Sequence, residues 1–310
     1  MPVSAKRAFK TVEHLHPNDD YLRKLHNFCP GCGNGIILHT LIRSLKLHIK
    51  SGSIEKQKDS GNLKKDSMTN PLKDYVFVSG IGCSGWIISP HLDADTIHTT
   101  HGRPIPVATG VKVANPNLHV IVVSGDGDLA SIGGNHLIHA ARRNVEMLCI
   151  LVNNFIFGMT GGQCGPTTLH DAKTTTTPYG NFEYPLNVAQ LVAAAGAVYS
   201  ARWTTHHIIK LENSLNKALE KSQDGFAFIE ILSPCPTQFE KRYLGSDEPK
   251  MLLDFLKDRS VLIKDKDKFS KEQLREKFIV GEFSDQRLPG LVKNLEAMKS
   301  RSCKTKSDAD

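Results

Sequence analysis

The 310-residue chain reads as an α/β fold, a mainly parallel sheet with helices on both faces. Three observations predict it. Short apolar runs rich in Val, Ile and Phe recur in DYVFVS, LHVIVVS, EMLCILV and FAFIEIL, and such runs read as buried strands. Segments with helical spacing separate them. Gly, Asp and Asn gather directly after the runs, at the carboxyl ends where open parallel sheets hold their ligands.

Composition narrows the function classes. Apolar content of 40% and charged content of 23% match a soluble globular protein with a full core. The net charge of +7 comes largely from lysines in 46–73 and 241–310, with no basic motif interleaved with aromatic residues. That pattern describes solvated basic segments and argues against nucleic acid as a partner. No apolar run approaches the roughly 18 residues of a membrane span, and the N-terminus lacks the apolar core of a secretion signal. Seven cysteines point to metal or redox chemistry rather than a disulfide framework. A cytoplasmic location is expected.

In chain order, residues 1–25 are polar and form an expected arm. In FCPGCGNG, Cys29 and Cys32 form a CxxC on a Pro/Gly turn, and Asn34 is placed to cap a helix whose Ile37, Leu41 and Leu45 share a face. Thiols at a helix N-terminus are favoured as thiolates. Alone, this CxxC fits a redox pair, half a zinc site or half an iron–sulfur site. Residues 49–73 lose their apolar pattern and read as a mobile insert. A strand then leads into GIGCSGW, carrying Cys83. His98, His101 and Arg103 occupy an expected loop before the small-residue helix VATGVKVA.

The central stretch is GDGDLASIGGNHLIHAARRNVEMLCILVNN, from Gly125 to Asn154. Gly125 and Gly127 bracket Asp126 and let the backbone approach a diphosphate closely. Asp126 offers one hard oxygen and the Asn154 amide a second to a bridging cation, for which Mg²⁺ is suited. This GDG…NN spacing resembles the diphosphate signature of thiamine diphosphate enzymes. A long Gly- and Thr-rich loop follows, then helices expected over 186–199 and 204–223, and a strand delivering Cys235 in SPCPT. Beyond Glu240 the chain is charged and reads as an extension.

Cys29, Cys32, Cys83 and Cys235 each lie in a Gly- or Pro-containing turn. By spacing alone they suit a [4Fe–4S] cluster or a closed zinc site equally. Cys149 lies within a strand and Cys303 in the tail, so neither is a good ligand candidate.

The motifs CPGCGNG, GIGCSGW, HTTHGRPIPVATGVK, GDGD, IGGNHLIHAARRN and NNFIFGMTGGQ occur in one order. On them the chain resembles the beta subunit of 2-oxoacid:ferredoxin oxidoreductases over roughly residues 26–240, continuing weakly to GEF at 281–283. The resemblance implies a thiamine diphosphate-binding fold, with a cofactor- and cluster-binding domain at 26–240 and an extension at 241–310. It implies oxidative decarboxylation of a 2-oxoacid (2-oxoglutarate, pyruvate or a broad range), transfer of the acyl group to coenzyme A, and electrons passed through [4Fe–4S] to ferredoxin. An alpha subunit would close the site. Carried over by motif, Gly125, Asp126, Gly127, Asp128, Asn154, Ile156 and Gly158 hold the cofactor. Asp126, Asn154 and the Ile156 carbonyl would ligate Mg²⁺, and Cys29, Cys32, Cys83 and Cys235 the cluster. His98, His101 and Arg103 would contact diphosphate or substrate.

Three departures stand out. The 49–73 insert is longer than the family pattern. Gly161 of GGQCGPTT stands where many relatives have lysine, and Trp86 stands where some have a basic residue. A distal substrate carboxylate calls for a cation, and these positions supply none. A non-redox thiamine diphosphate decarboxylase or synthase is the rival enzyme, disfavoured by chain length and the four cysteines. A zinc-stabilised binding module is the non-enzyme rival, and it leaves GDG…NN without a role.

Overall fold

Val- and Ile-rich runs form strands because β-branched side chains fit a pleated, buried surface. The computed structural model bears this out; it describes residues 21–24, 26–59, 70–246 and 248–307, with side chains for all but 52–59 and 303–307. In order these residues form α1 (Asn34–Asp59), β1 (Tyr75–Ser79), β2 (Asp95–His98), α2 (Pro104–Ala114), β3 (His119–Gly125), α3 (Gly134–Arg142), β4 (Met147–Asn153) and α4 (Val188–Ala194). Then come β5 (Tyr199–Thr204), α5 (Ile208–Lys221), β6 (Phe226–Leu232), α6 (Pro249–Arg259), β7 (Ser260–Leu262), α7 (Lys271–Arg275), β8 (Phe278–Asp285) and α8 (Leu291–Ser307).

The strands make one eight-stranded sheet in the order β2-β1-β3-β4-β6-β5-β8-β7. It is parallel from β2 to β5, and β8 joins β5 antiparallel. β4 is buried at every position, and its side chains divide between two cores. Leu148, Ile150 and Val152 pack with Ile37, Leu41 and Leu45 of α1 and Leu211 and Leu215 of α5. Met147, Cys149 and Leu151 pack on the other face with Ile105 of α2, Leu137 of α3 and Val192 of α4. Each such side chain contributes roughly 1.5–3 kcal/mol on full burial. The sheet is thus covered on both faces, and its carboxyl edge is left for ligands. Because β1 connects outward to β2 while β3 lies on its other side, the strand order reverses between β1 and β3, and a crevice opens at such a point.

Several expectations change. Residues 1–20 and 25 of the expected arm lie outside the described residues, but Tyr21 is buried and Leu22 bridges to Leu92. The expected insert begins inside a helix, since α1 continues to Asp59; Glu55, Lys56, Gln57 and Lys58 are good helix formers without an apolar face. Residues 60–69 lie outside the described residues, and Leu72 is already core. His98 ends an edge strand rather than lying in a loop. The helix expected over 186–199 is cut to Val188–Ala194, ending before Gly196 at φ 109°, and Tyr199–Thr204 is the strand β5. The helix expected from 204 starts at Ile208. Finally, the expected extension after Glu240 supplies β7 and β8 to the same sheet.

Candidate functional site

Three strand ends meet at one cavity of about 180 Å³. Its lining comes from the turn after β1 (Ile81, Gly82, Cys83, Ser84), from His101, from Gly125–Asp128 after β3, and from Asn154 and Ile156–Thr160 after β4. Gly125, Asp126, Gly127, Asp128, Asn154, Ile156, Gly158, His101 and Cys83, all singled out in the sequence, face this one space. His98 and Arg103 do not. The His98 ring stays on the Ser79 hydroxyl at 2.9 Å, and exposed Arg103 donates to the Gly102 carbonyl at 3.1 Å.

Asp126 is 4% exposed and accepts from the Gly127 amide at 2.8 Å and from the Thr167 hydroxyl. Burial pushes its carboxyl up to about 6, although those two hydrogen bonds pull the other way. Gly127 is bare because a Cβ there would overlap the Phe157 ring. The two asparagines ending β4 have different tasks. Asn153 donates to buried Glu230 at 2.8 Å and accepts from the Phe155 amide at 3.1 Å. Phe155 then takes φ 64°, a left-handed conformation rare for a non-glycine residue. This turns Asn154 and the Ile156 carbonyl toward Asp126.

The resulting arrangement is an oxygen cage. Asn154 Oδ1 lies 2.6 Å from the Ile156 carbonyl oxygen and 3.1 Å from Asp126 Oδ1. Reversing the amide makes its NH₂ a donor to both oxygens. The orientation with oxygen inward is supported by the Ile156 amide, which donates to Asn154 Oδ1 at 3.3 Å. In that orientation the Asn154 oxygen faces the other two with no proton between, an arrangement that suits a hard divalent cation, which takes oxygen ligands.

Asp128 turns away from this cage. Its side chain is fully buried and accepts from His101 Nδ1 at 2.6 Å, the Gly102 amide at 2.6 Å, the Ile81 amide at 3.3 Å and the Ser124 hydroxyl at 2.7 Å. Four donors occupy both of its oxygens, so Asp128 ties the β1 and β2 turns to β3. The contact through Nδ1 fixes the orientation of the His101 ring and leaves Nε2 as its second polar atom.

Two of the four candidate thiols lie at this cavity: Cys83 lines it, and Cys235 lies beside Gly158. Cys29 is exposed, while Cys32, Cys83 and Cys235 are half-buried. Burial pushes Cys32 up to about 12 and raises Cys83, and each also feels the charges of Cys29 and Cys235. The Cys32 amide closes the CxxC turn onto the Cys29 carbonyl at 3.0 Å. A Cβ added to Gly158, on the cavity wall, would lie 3.5 Å from Cys235 Sγ. Cys235 is remote from GDG…NN along the chain and adjacent to it in space. Cys149 is buried within β4, as a small hydrophobe. Among the described residues no three His, Cys, Asp or Glu side chains close on a single metal ion.

Thr167, Phe157 and Ser84 were not singled out as site residues. Thr167 lies in the Thr-rich loop whose role its composition leaves open. Its neighbour Thr168 donates to the Phe155 carbonyl at 2.7 Å, and Thr175 to Gly162 at 2.8 Å. The threonines therefore wire that loop to the cavity wall.

Comparison with known proteins agrees with this geometry. Residues 80–231 match the family model for the C-terminal TPP binding domain of thiamine pyrophosphate enzymes. The chain is 43% identical over 288 residues to "2-oxoglutarate synthase subunit KorB" of Methanocaldococcus jannaschii, covering 92% of this chain and 97% of that protein. It is 38% identical over 234 residues to "2-oxoacid:ferredoxin oxidoreductase subunit beta" of Saccharolobus solfataricus, covering 72% and 69%. A solved structure, "2-oxoglutarate:ferredoxin oxidoreductase from Magnetococcus marinus with 2-oxoglutarate, coenzyme A and succinyl-CoA bound", superposes with TM-score 0.73 at 31% identity, covering 92% of this chain and 90% of that one. With its thiamine-binding strand ends intact and these relatives matched over most of their length, the chain belongs to the beta subunits of the 2-oxoacid:ferredoxin oxidoreductases.

Proposed function

We propose that this beta subunit works in a complex that oxidatively decarboxylates 2-oxoglutarate, forming succinyl-CoA and CO₂ and passing electrons to ferredoxin. The observation that carries the reading is the oxygen cage of Asp126, Asn154 and the Ile156 carbonyl, opening beside Cys83 and Gly158. The 43% identity to a 2-oxoglutarate synthase subunit supports 2-oxoglutarate as the substrate.

In this reading Asp126, Asn154 and the Ile156 carbonyl would hold Mg²⁺, and the glycines around Asp126 would admit the diphosphate of thiamine diphosphate. When bound, that cofactor supplies the electron sink for decarboxylation. The chain's own residues do the rest. The Gly127 amide is held by Asp126, Phe157 closes over Gly127, and His101, fixed by Asp128, presents Nε2 to the cavity. Cys29, Cys32, Cys83 and Cys235 would hold a [4Fe–4S] cluster, with Cys235 beside Gly158 of the cavity wall. An alpha subunit covers the cavity, and ferredoxin receives electrons from the side of exposed Cys29.

The test is anaerobic co-expression with the alpha subunit, followed by iron, sulfide and zinc analysis and an assay of ferredoxin reduction. Four irons per chain and reduction that requires 2-oxoglutarate and coenzyme A are expected. Zinc in place of iron, or turnover independent of coenzyme A, would overturn the reading.

A further inference from the structure

The cavity's fifteen lining residues include no lysine or arginine. A dicarboxylic 2-oxoacid brings a second carboxylate, and a carboxylate leaving water is matched best by a cation that also donates hydrogen bonds. Resting on the reading of the site above, we propose that Arg242 is the specificity-determining residue that binds the distal carboxylate of the 2-oxoacid.

The wall formed by Gly158, Met159 and Thr160 ends in a tight turn. The Gly161 amide donates to the Gly158 carbonyl at 3.3 Å, and the Gly162 amide to the Phe157 carbonyl at 2.9 Å. Gly161 and Gly162 have φ 112° and 91°, conformations that only glycine adopts without strain. The turn is therefore bare, and Arg242 lies on it. Arg242 follows the wide helical turn Pro236–Glu240 that begins after Cys235. Its Nη2 is 3.4 Å from the Gly161 carbonyl oxygen and 3.2 Å from Gln238 Oε1, and its Nε is 3.4 Å from the same Gln238 oxygen. A Cβ on Gly162 would come within 2.9 Å of Arg242 Nε and 2.8 Å of Gln238 Oε1. The glycine pair is what lets the guanidinium rest on this turn, which directly follows Thr160 of the cavity wall.

That guanidinium is under-used. Its contacts are long for a charged donor and go only to neutral oxygens. Among the described residues no carboxylate pairs with it, whereas Arg23, Arg43 and Arg202 pair with Asp93, Glu212 and Glu230. A planar fork of five N–H donors with no acidic partner is suited to bidentate recognition of a carboxylate. Gly161 removes a side chain at this turn, and Arg242 brings a cation to it from a segment about 80 residues further on.

The experiment uses the cofactor-loaded complex with Arg242→Gln and Arg242→Lys, each first matched to wild type in iron content, thiamine diphosphate content and melting temperature. Steady-state rates are measured with 2-oxoglutarate, with monocarboxylic 2-oxobutyrate, and across a coenzyme A titration. For Arg242→Gln, kcat/KM on 2-oxoglutarate is expected to fall on the order of 10- to 100-fold, the loss of one charge-assisted contact. The fall should be chiefly in KM, with 2-oxobutyrate and the KM for coenzyme A unchanged. Arg242→Lys should recover part of the loss, because charge returns without the fork. An equal fall on both 2-oxoacids, an unchanged ratio between them, or a rise confined to the KM for coenzyme A would overturn the proposal. A loaded wild-type complex that turns over no 2-oxoacid would overturn the underlying reading and the proposal with it. A wild-type complex that prefers 2-oxoglutarate, paired with an indifferent Arg242→Gln, overturns the proposal alone.

Discussion

Asp126 is a buried carboxylate facing two further oxygens, and its raised pKa measures that environment. Because the folded-state value is about 6 against 3.8 for the free side chain, the folded chain holds this proton more tightly than the unfolded one. The sign follows: this group's contribution to stability declines as pH rises from about 4 to 6 and stays lost above, on the order of 3 kcal/mol. Asp126→Asn keeps the shape and removes the charge. The cofactor-free variant should therefore melt higher than wild type at pH 7, while Mg²⁺-dependent binding of thiamine diphosphate drops at least 100-fold; scanning and titration calorimetry check the two halves. In wild type, cofactor affinity should weaken as pH falls from 7.5 to 5.5, because protonation competes with Mg²⁺ for the carboxylate. Unchanged affinity across that interval would remove Asp126 from the ligand set. The GDG and NN motifs made Asp126 and Asn154 legible before any coordinates. What no local pattern carries is the division of labour between the two asparagines, which depends on Glu230, 77 residues from Asn153.

At the scale of elements, β5 shows why some strands are invisible in sequence. YSARWT contains an arginine, yet all six residues are buried. Arg202 Nε reaches Glu230 Oε2 at 2.8 Å, and Nη2 reaches the Asn187 side chain at 2.7 Å; Asn153 and the Ala189 amide complete the carboxylate's partners. A single network thus joins β4, β5, β6 and the start of α4. Removing one charge from such a pair typically costs roughly 3–5 kcal/mol, because the other is left buried. Arg202→Met should lower the unfolding free energy from urea titration by that scale, whereas Arg202→Met combined with Glu230→Met should recover most of it; a double variant no better than the single would show the pair itself stabilises. β3, β4 and β6 were readable because their burial is written in their own side chains. β5 and β8 were not, because their polar residues are matched by partners distant in the chain, β8 lying about 80 residues from β5.

For the whole molecule, one mainly parallel sheet carries the candidate cofactor cavity at its carboxyl edge. The isolated chain is expected to bind cofactor weakly and to show no 2-oxoacid-dependent viologen reduction until the alpha subunit is added; activity of the purified single chain would contradict this. The motifs after β1, β2, β3 and β4 brought nine candidate residues to one cavity, while Arg242 escaped notice because nothing near it in sequence names its neighbour Gly161. The segment from Asn154 to Gly162 holds a further consequence. One end bears on the oxygen cage, its middle touches Cys235, and its far end supports Arg242. Sites that share a backbone segment exchange free energy, and thermodynamic linkage makes that exchange reciprocal. Whatever factor cluster assembly adds to the affinity for thiamine diphosphate, the cofactor must return to the retention of iron. Titration calorimetry on cluster-loaded and cluster-free complex gives the first factor, and chelator competition with and without cofactor gives the second. Two factors above one and equal within error would show that the two sites are coupled, and two factors of one would show that they fill independently.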